Sequence, residues 1–128
     1  MKIHKTWNIK SLKVNLSKDS FESIINSDIS SKNYIGFIGH PDIFTSYNQL
    51  PTPALLLTGM KFINDEELDC EFEILLTNAG KVISHLIDDG VDWHIDVRGT
   101  GHIDENNNVV DFKLLGFDFM LDIQYGDA

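Results

Sequence analysis

The sequence is short of three things. It has one cysteine, Cys70, one arginine, Arg98, and no long apolar run. A single cysteine permits no internal disulfide, so an oxidising compartment is not implied. A membrane-crossing helix needs about 20 consecutive apolar residues, and no stretch approaches that. Residues 1–15 alternate lysine with apolar side chains and lack the continuous apolar centre of a signal peptide. Positive charge is scarce as well: ten basic residues stand against 20 acidic ones, a formal charge of −10. Phosphate neutralisation needs clustered lysine and arginine, so nucleic-acid binding is excluded as a function class. These absences predict a soluble, intracellular protein with no membrane partner.

What is present fits a single domain over residues 1–128. That length can bury a sizeable core, and a hydrophobic content of 42% is too high for a disordered chain. The charge is uneven. Residues 1–34 sum to +3 and residues 35–128 to −13. The basic start reads as a solvated edge rather than a binding arm.

Periodicity predicts the elements. Leu12, Val14 and Leu16 alternate with polar residues, the period of a strand. Ser17 is a good N-cap, and Phe21, Ile24 and Ile25 share one face of a helix over 18–27. Tyr34 to Ile38 is a short apolar run ending in Gly39-His40-Pro41-Asp42. Proline restricts the residue before it, so His40 is held extended, where its side chain can be displayed. A polar loop follows over 43–53. A strand over 54–63 carries a kink at Gly59, and Asn64 to Glu67 makes an acidic turn. Leu68, Cys70, Phe72 and Ile74 alternate with acids, a half-buried strand. Asn78 caps a helix over 79–89, and Gly90 closes it. Val91–Val97, Val109–Leu115 and Phe117–Ile123 read as three more strands. The sum is an α+β domain, mainly antiparallel, with about seven strands and two helices.

Several groups of residues have the chemistry for a site. His-Ile-Asp occurs at 94–96 and again at 102–104. A tight turn at the intervening glycines would bring His94, Asp96, His102 and Asp104 together as a metal-binding module. The competing reading is the solvated face of a hairpin, and the spacing matches no established metal motif. The acids of 65–71 lack the calcium-loop pattern and read as a solvated turn. Cys70 reads as a small core residue and His85 as structural; His4 is uninformative. Gly99-Thr100-Gly101 is no dinucleotide fingerprint. Close glycines also let backbone N–H groups approach a reacting carbonyl as an oxyanion hole, with His40 the candidate base.

The order of these pieces resembles the prohead (maturation) proteases of tailed bacteriophages, serine proteases of the herpesvirus-assemblin type. The matching pieces are Gly39-His40-Pro41, the strand to Leu76, and Thr77-Asn78-Ala79-Gly80-Lys81 running to Gly90. Arg98-Gly99-Thr100-Gly101 and Val110-Asp111-Phe112-Lys113-Leu114 with Asp118 complete the match, which covers about residues 35–120. The resemblance implies a barrel-like fold and makes His40 the family's general base. Arg98, Gly99 and Gly101 correspond to its oxyanion loop, and Asp118 to a late acid.

The chain departs from the family at the decisive place. The family's serine pair aligns with Asp96 and Val97, and neither is a nucleophile for this chemistry. A histidine base is useless without the hydroxyl it activates. The family's ending after Asp118 is also replaced, and the N-terminal region is short. The resemblance therefore implies a prohead-protease-like protein without catalysis. It would bind or inhibit the maturation protease, or take part in head assembly. Its partners would be that protease, the head core proteins or a second copy, without a cofactor. It would reside in the host cytoplasm during assembly, and in the virion head. An active protease using Thr100 or Ser84 is the alternative.

Overall fold

The computed structural model describes residues 1–41 and 51–122. The element order is β1 (Lys2–Asn8), α1 (Asp19–Ile25), β2 (Ile35–Gly36), β3 (Leu55–Phe62), β4 (Glu67–Ile74), α2 (Asn78–Asp88), β5 (Trp93–Ile103) and β6 (Val109–Leu121). Short 3-10 turns lie at Ile9–Ser11 and Ile29–Ser31. The class is α+β with mainly antiparallel strands. Four strands form one curled sheet in the order β1-β4-β3-β2, and β5 and β6 form a two-stranded ribbon.

The central strand β4 shows how sequence becomes structure here. Leu68, Cys70, Phe72 and Ile74 are buried, and the acids between them face the other side. Period-two alternation sorts them onto two faces. Burial pushes the Cys70 thiol far above its ordinary range, which leaves it an inert core residue. The core continues through Leu55, Leu57, Phe21, Ile83, Phe117 and Phe119. Trp7 meets Phe117 edge-on at 5.4 Å and Phe21 at 5.6 Å, which pins the sheet and α1 to the ribbon.

Both helices stand near their expected places. Ser17 takes the Ser20 N–H at 3.3 Å, although Lys18 is the cap residue of α1. The cap of α2 is Thr77 rather than Asn78, because Thr77 keeps an extended backbone and its hydroxyl accepts the Gly80 N–H. Gly90 takes a positive φ of 76°, and its N–H and that of Val91 close the last turn on Ile87 and Leu86. On α2, Ile83 is fully buried, whereas Val82 beside it is about half exposed. His85 is exposed on α2.

Three expectations about strands change. Leu12, Val14 and Leu16 alternate but form no strand; the N-terminal strand is Lys2–Asn8. Residues 109–115 and the later apolar run are one strand, continuous through Gly116, so six strands form among the described residues. The ribbon does not turn at Gly99 and Gly101. It turns at Asp104–Asn108, where the Asp104 carboxylate accepts the N–H groups of Asn106 and Asn108. Most of the loop expected over 43–53, and Ile123, lie outside the described residues.

Candidate functional site

The site is built where β2 and the residues after it cross the ribbon. Gly36 and Gly116 make that crossing possible. A Cβ on Gly36 would stand 2.1 Å from the Phe117 carbonyl oxygen, and one on Gly116 2.3 Å from that of Ile35. Backbone therefore lies directly on backbone, which only glycine allows. Beyond the crossing, the Phe119 N–H donates to the Phe37 carbonyl and the Gly39 N–H to the Phe119 carbonyl, both at 2.8 Å. Gly39 takes a φ of 68° and turns the chain, so His40 stands over β5 and β6.

Asp118 is fully buried and is the centre of the cluster. Its Oδ1 accepts the Phe37 N–H at 2.9 Å. Its Oδ2 accepts Arg98 Nε–H at 3.0 Å and faces His40 Nδ1 at 2.7 Å. Three donors thus satisfy one buried carboxylate, the condition under which such a charge is tolerated. The Arg98 guanidinium also donates to the Ile35 carbonyl at 2.6 Å and lies over the Phe37 ring. Arg98 and Asp118 reach the same side because both lie on paired strands, with Arg98 opposite Gly116.

Asp96 completes the row. It stands opposite Asp118 in the ribbon ladder. Its Oδ2 lies 3.2 Å from His40 Nε2, and its Oδ1 accepts the Val97 N–H at 3.1 Å. Both ring nitrogens of His40 therefore face carboxylates, and the ring donates to both only in its protonated form. Burial by itself would lower the pKa of His40. Its hydrogen bonds to Asp118 and Asp96 and their negative charge outweigh this, and hold it above the ordinary 6.5. The arrangement sets the imidazole between two carboxylates with a guanidinium alongside, surroundings that favour its protonated form.

The other candidate residues are placed apart from this cluster. Val97 alternates onto the opposite face from Asp96 and Arg98. Gly99 and Gly101 lie within β5, packed beneath Phe112 and Val109, so they form strand rather than loop. Thr100 is exposed on β5, about 13 Å along the strand from Asp96 at about 3.3 Å per residue. Ser84 is on α2. Neither hydroxyl is bonded to His40. His94 pairs with Asp122, while His102 is eight residues further on, about 26 Å away at the same rise. The straight strand keeps the two His-Ile-Asp units apart, and Asp104 is engaged in the turn. No group of three His, Cys, Asp or Glu side chains among the described residues could hold a metal. The acids at 65–71 stay solvated.

Sequence reasoning missed Gly36, Gly116 and the two backbone partners, Phe37 and Ile35. A glycine inside an apolar run was the available signal, since it marks a close backbone approach. No such signal exists for a backbone carbonyl or N–H.

No family model and no curated protein matches the chain. Among solved structures, the chain is similar to the capsid assembly protease gp21 of bacteriophage T4. The TM-score is 0.68 at 15% identity, over 95% of this chain and 82% of that one. The chain therefore has a fold like that of a phage capsid assembly protease. No helix among the described residues is long and apolar enough to cross a membrane.

Proposed function

We propose that this chain is a prohead-protease-like phage protein that does not cut peptide bonds and works by binding. The observation that carries this reading is the Asp96 carboxylate 3.2 Å from His40 Nε2. A serine protease needs a hydroxyl there and a free lone pair on that nitrogen to take its proton. An imidazolium donating to a carboxylate has no such lone pair. Asp96 also adds negative charge where acyl transfer needs positive potential. The resemblance in motif order and the likeness in fold supply the context. The partners we propose are the phage maturation protease, which the chain would bind or inhibit, and the head core proteins. The protein would act in the host cytoplasm during assembly and remain in the head.

A fluorophosphonate probe tests the absence of catalysis. The wild-type chain is expected to remain unlabelled. Asp96→Ser restores a hydroxyl beside His40 Nε2 and removes one of the two charges that keep the ring protonated. This variant is expected to label, and to stop labelling when His40→Ala is added. Labelling of the wild type, lost with His40→Ala, would overturn the reading. The binding half is tested with purified maturation protease and core protein. Slower core cleavage, or a complex with either one, is expected; finding no slowing and no complex would overturn the binding half.

A further inference from the structure

The groove between α1 and β6 carries a charge opposite to that of the whole chain. Its cavity of about 420 Å³ is lined by Lys32 and Lys113, and no acidic residue lines it. Across the chain, by contrast, 20 acids stand against ten bases. The ion pairs of the described residues use Lys2, Lys10, Lys18 and Arg98 as their lysine and arginine members. Lys32 and Lys113 are in none of them. Two cations facing one cavity, with no acid between them, attract an anionic group.

Two further observations indicate what fits it. The first is that four consecutive residues of β6, Phe112 to Leu115, line the cavity. Side chains alternate between the two faces of a strand, so consecutive residues share a cavity only along the strand's edge. That edge is free: over these residues the β6 backbone bonds only to β5 among the described residues. Elsewhere the same edge is covered, by Asn15 at Val109 and by Phe37 and Gly39 at Phe119. The ladder slips at both ends of the free stretch, between Arg98 and Gly99 and between Thr100 and His102, and β6 carries the extra residue each time. The straight part of the edge is therefore limited to Phe112–Leu114. The second observation is an apolar part of the lining, where Ile24 of α1 and Phe112 are only partly buried.

We infer that this groove receives a short, extended, acidic segment of another protein, laid along the β6 edge at Phe112–Leu114. A carboxylate of the segment meets Lys32 and Lys113, and a neighbouring aliphatic side chain meets Ile24 and Phe112. Unpaired backbone groups on a strand edge fit a polypeptide, and a free phosphate or a lipid headgroup has nothing to offer them. The two lysines select against a basic segment. The alternation of an extended chain lets its acidic and aliphatic residues take opposite faces. No residue of the His40 cluster lines the groove, so the inference stands whatever that cluster does.

The probe is a blocked heptapeptide of alternating glutamate and valine, titrated into the full chain and followed by amide NMR. Saturable shifts are expected at Ser23, Asn33, Lys113 and Leu114, and a lysine–valine peptide is expected to cause none. Lys32→Gln combined with Lys113→Gln, both at exposed positions, is expected to weaken binding about tenfold, with thermal unfolding confirming that the variant folds. Methylating alternate peptide amides removes backbone donors and is expected to weaken it by a similar factor. Four results would overturn the inference. The first is no saturable binding at millimolar peptide. The second is equal binding by the double variant or of the lysine–valine peptide, which means the lysines do not select the segment. The third is indifference to amide methylation, or the same shifts from inorganic phosphate at the same concentration, which means a simple anion site. The fourth is a concentration-dependent dimer that broadens these amides without peptide, which means the occupant is a second copy.

Discussion

His4 and His40 each stand between two carboxylates, in opposite surroundings. His4, on the solvent face of the four-stranded sheet, faces Asp69 at 3.0 Å and Glu71 at 3.4 Å. Both acids are partly exposed, and the same face carries Lys2–Glu71 and the N-terminal ammonium with Glu73. The Thr58 hydroxyl and Lys2 hold the Glu71 carboxyl below its ordinary range. These are ladder pairs of a solvated sheet, and water can replace each of them. His40 has one partner, Asp118, that water cannot reach. The contact distances are alike, so distance does not distinguish the two sites. Burial of one carboxylate does, because an unpaired buried charge has no alternative partner.

The comparison breaks most visibly at Arg98. Arg98→Ala leaves Asp118 buried without its permanent cation and is expected to cost about 3–5 kcal/mol. Urea denaturation checks this; a loss under about 1 kcal/mol would place Asp118 in solvent and erase the contrast. A smaller effect concerns pH. The folded-state pKa of His40 is raised, so its stabilising contribution is fully present below the unfolded value of about 6.5. It is lost as pH rises through the folded value. The ring-proton NMR titration of His40 is expected to have its midpoint above 6.5, and Asp96→Asn to move it down. A midpoint at or below 6.5 would contradict the doubly donating ring. The smallest effect belongs to the exposed site. His4→Ala is expected to change stability by no more than about 0.5 kcal/mol, with less change still at high salt. A loss as large as that of Arg98→Ala would show that the sheet face is not merely solvated.

The contrast was only partly legible in the sequence. Strand β4 announces itself, because an alternation of apolar and acidic residues leaves one arrangement that buries the first and solvates the second. The α2 cap and its closing glycine are legible for the same local reasons. Strand β6 is not, because Gly116 reads as a break. Its actual reason, the carbonyl of Ile35 pressed against it, lies 81 residues earlier. His40, Asp96, Arg98 and Asp118 were singled out by motif order, and the structure brings these four together. Their mutual distances and the burial of Asp118 come from tertiary crossing, which no local pattern encodes. The same limit explains the metal reading. Two His-Ile-Asp units look like a pair only if the glycines turn, and the crossing side chains of Phe112 and Val109 keep them in a strand.

Asp118 also has a consequence for the order in which the molecule assembles. Its three donors come from Phe37, His40 and Arg98, which are 81, 78 and 20 residues away along the chain. The ribbon pair with Arg98 is the short closure; the other two join the first third of the chain to its last tenth. The longer closures cost more entropy than the short one, so the segment around His40 is expected to dock late, onto a ribbon already formed. In the reverse direction this segment is expected to open as one unit. The amides of Phe37 and Gly39, both bonded across the crossing, should then exchange with solvent together, ahead of the ribbon itself.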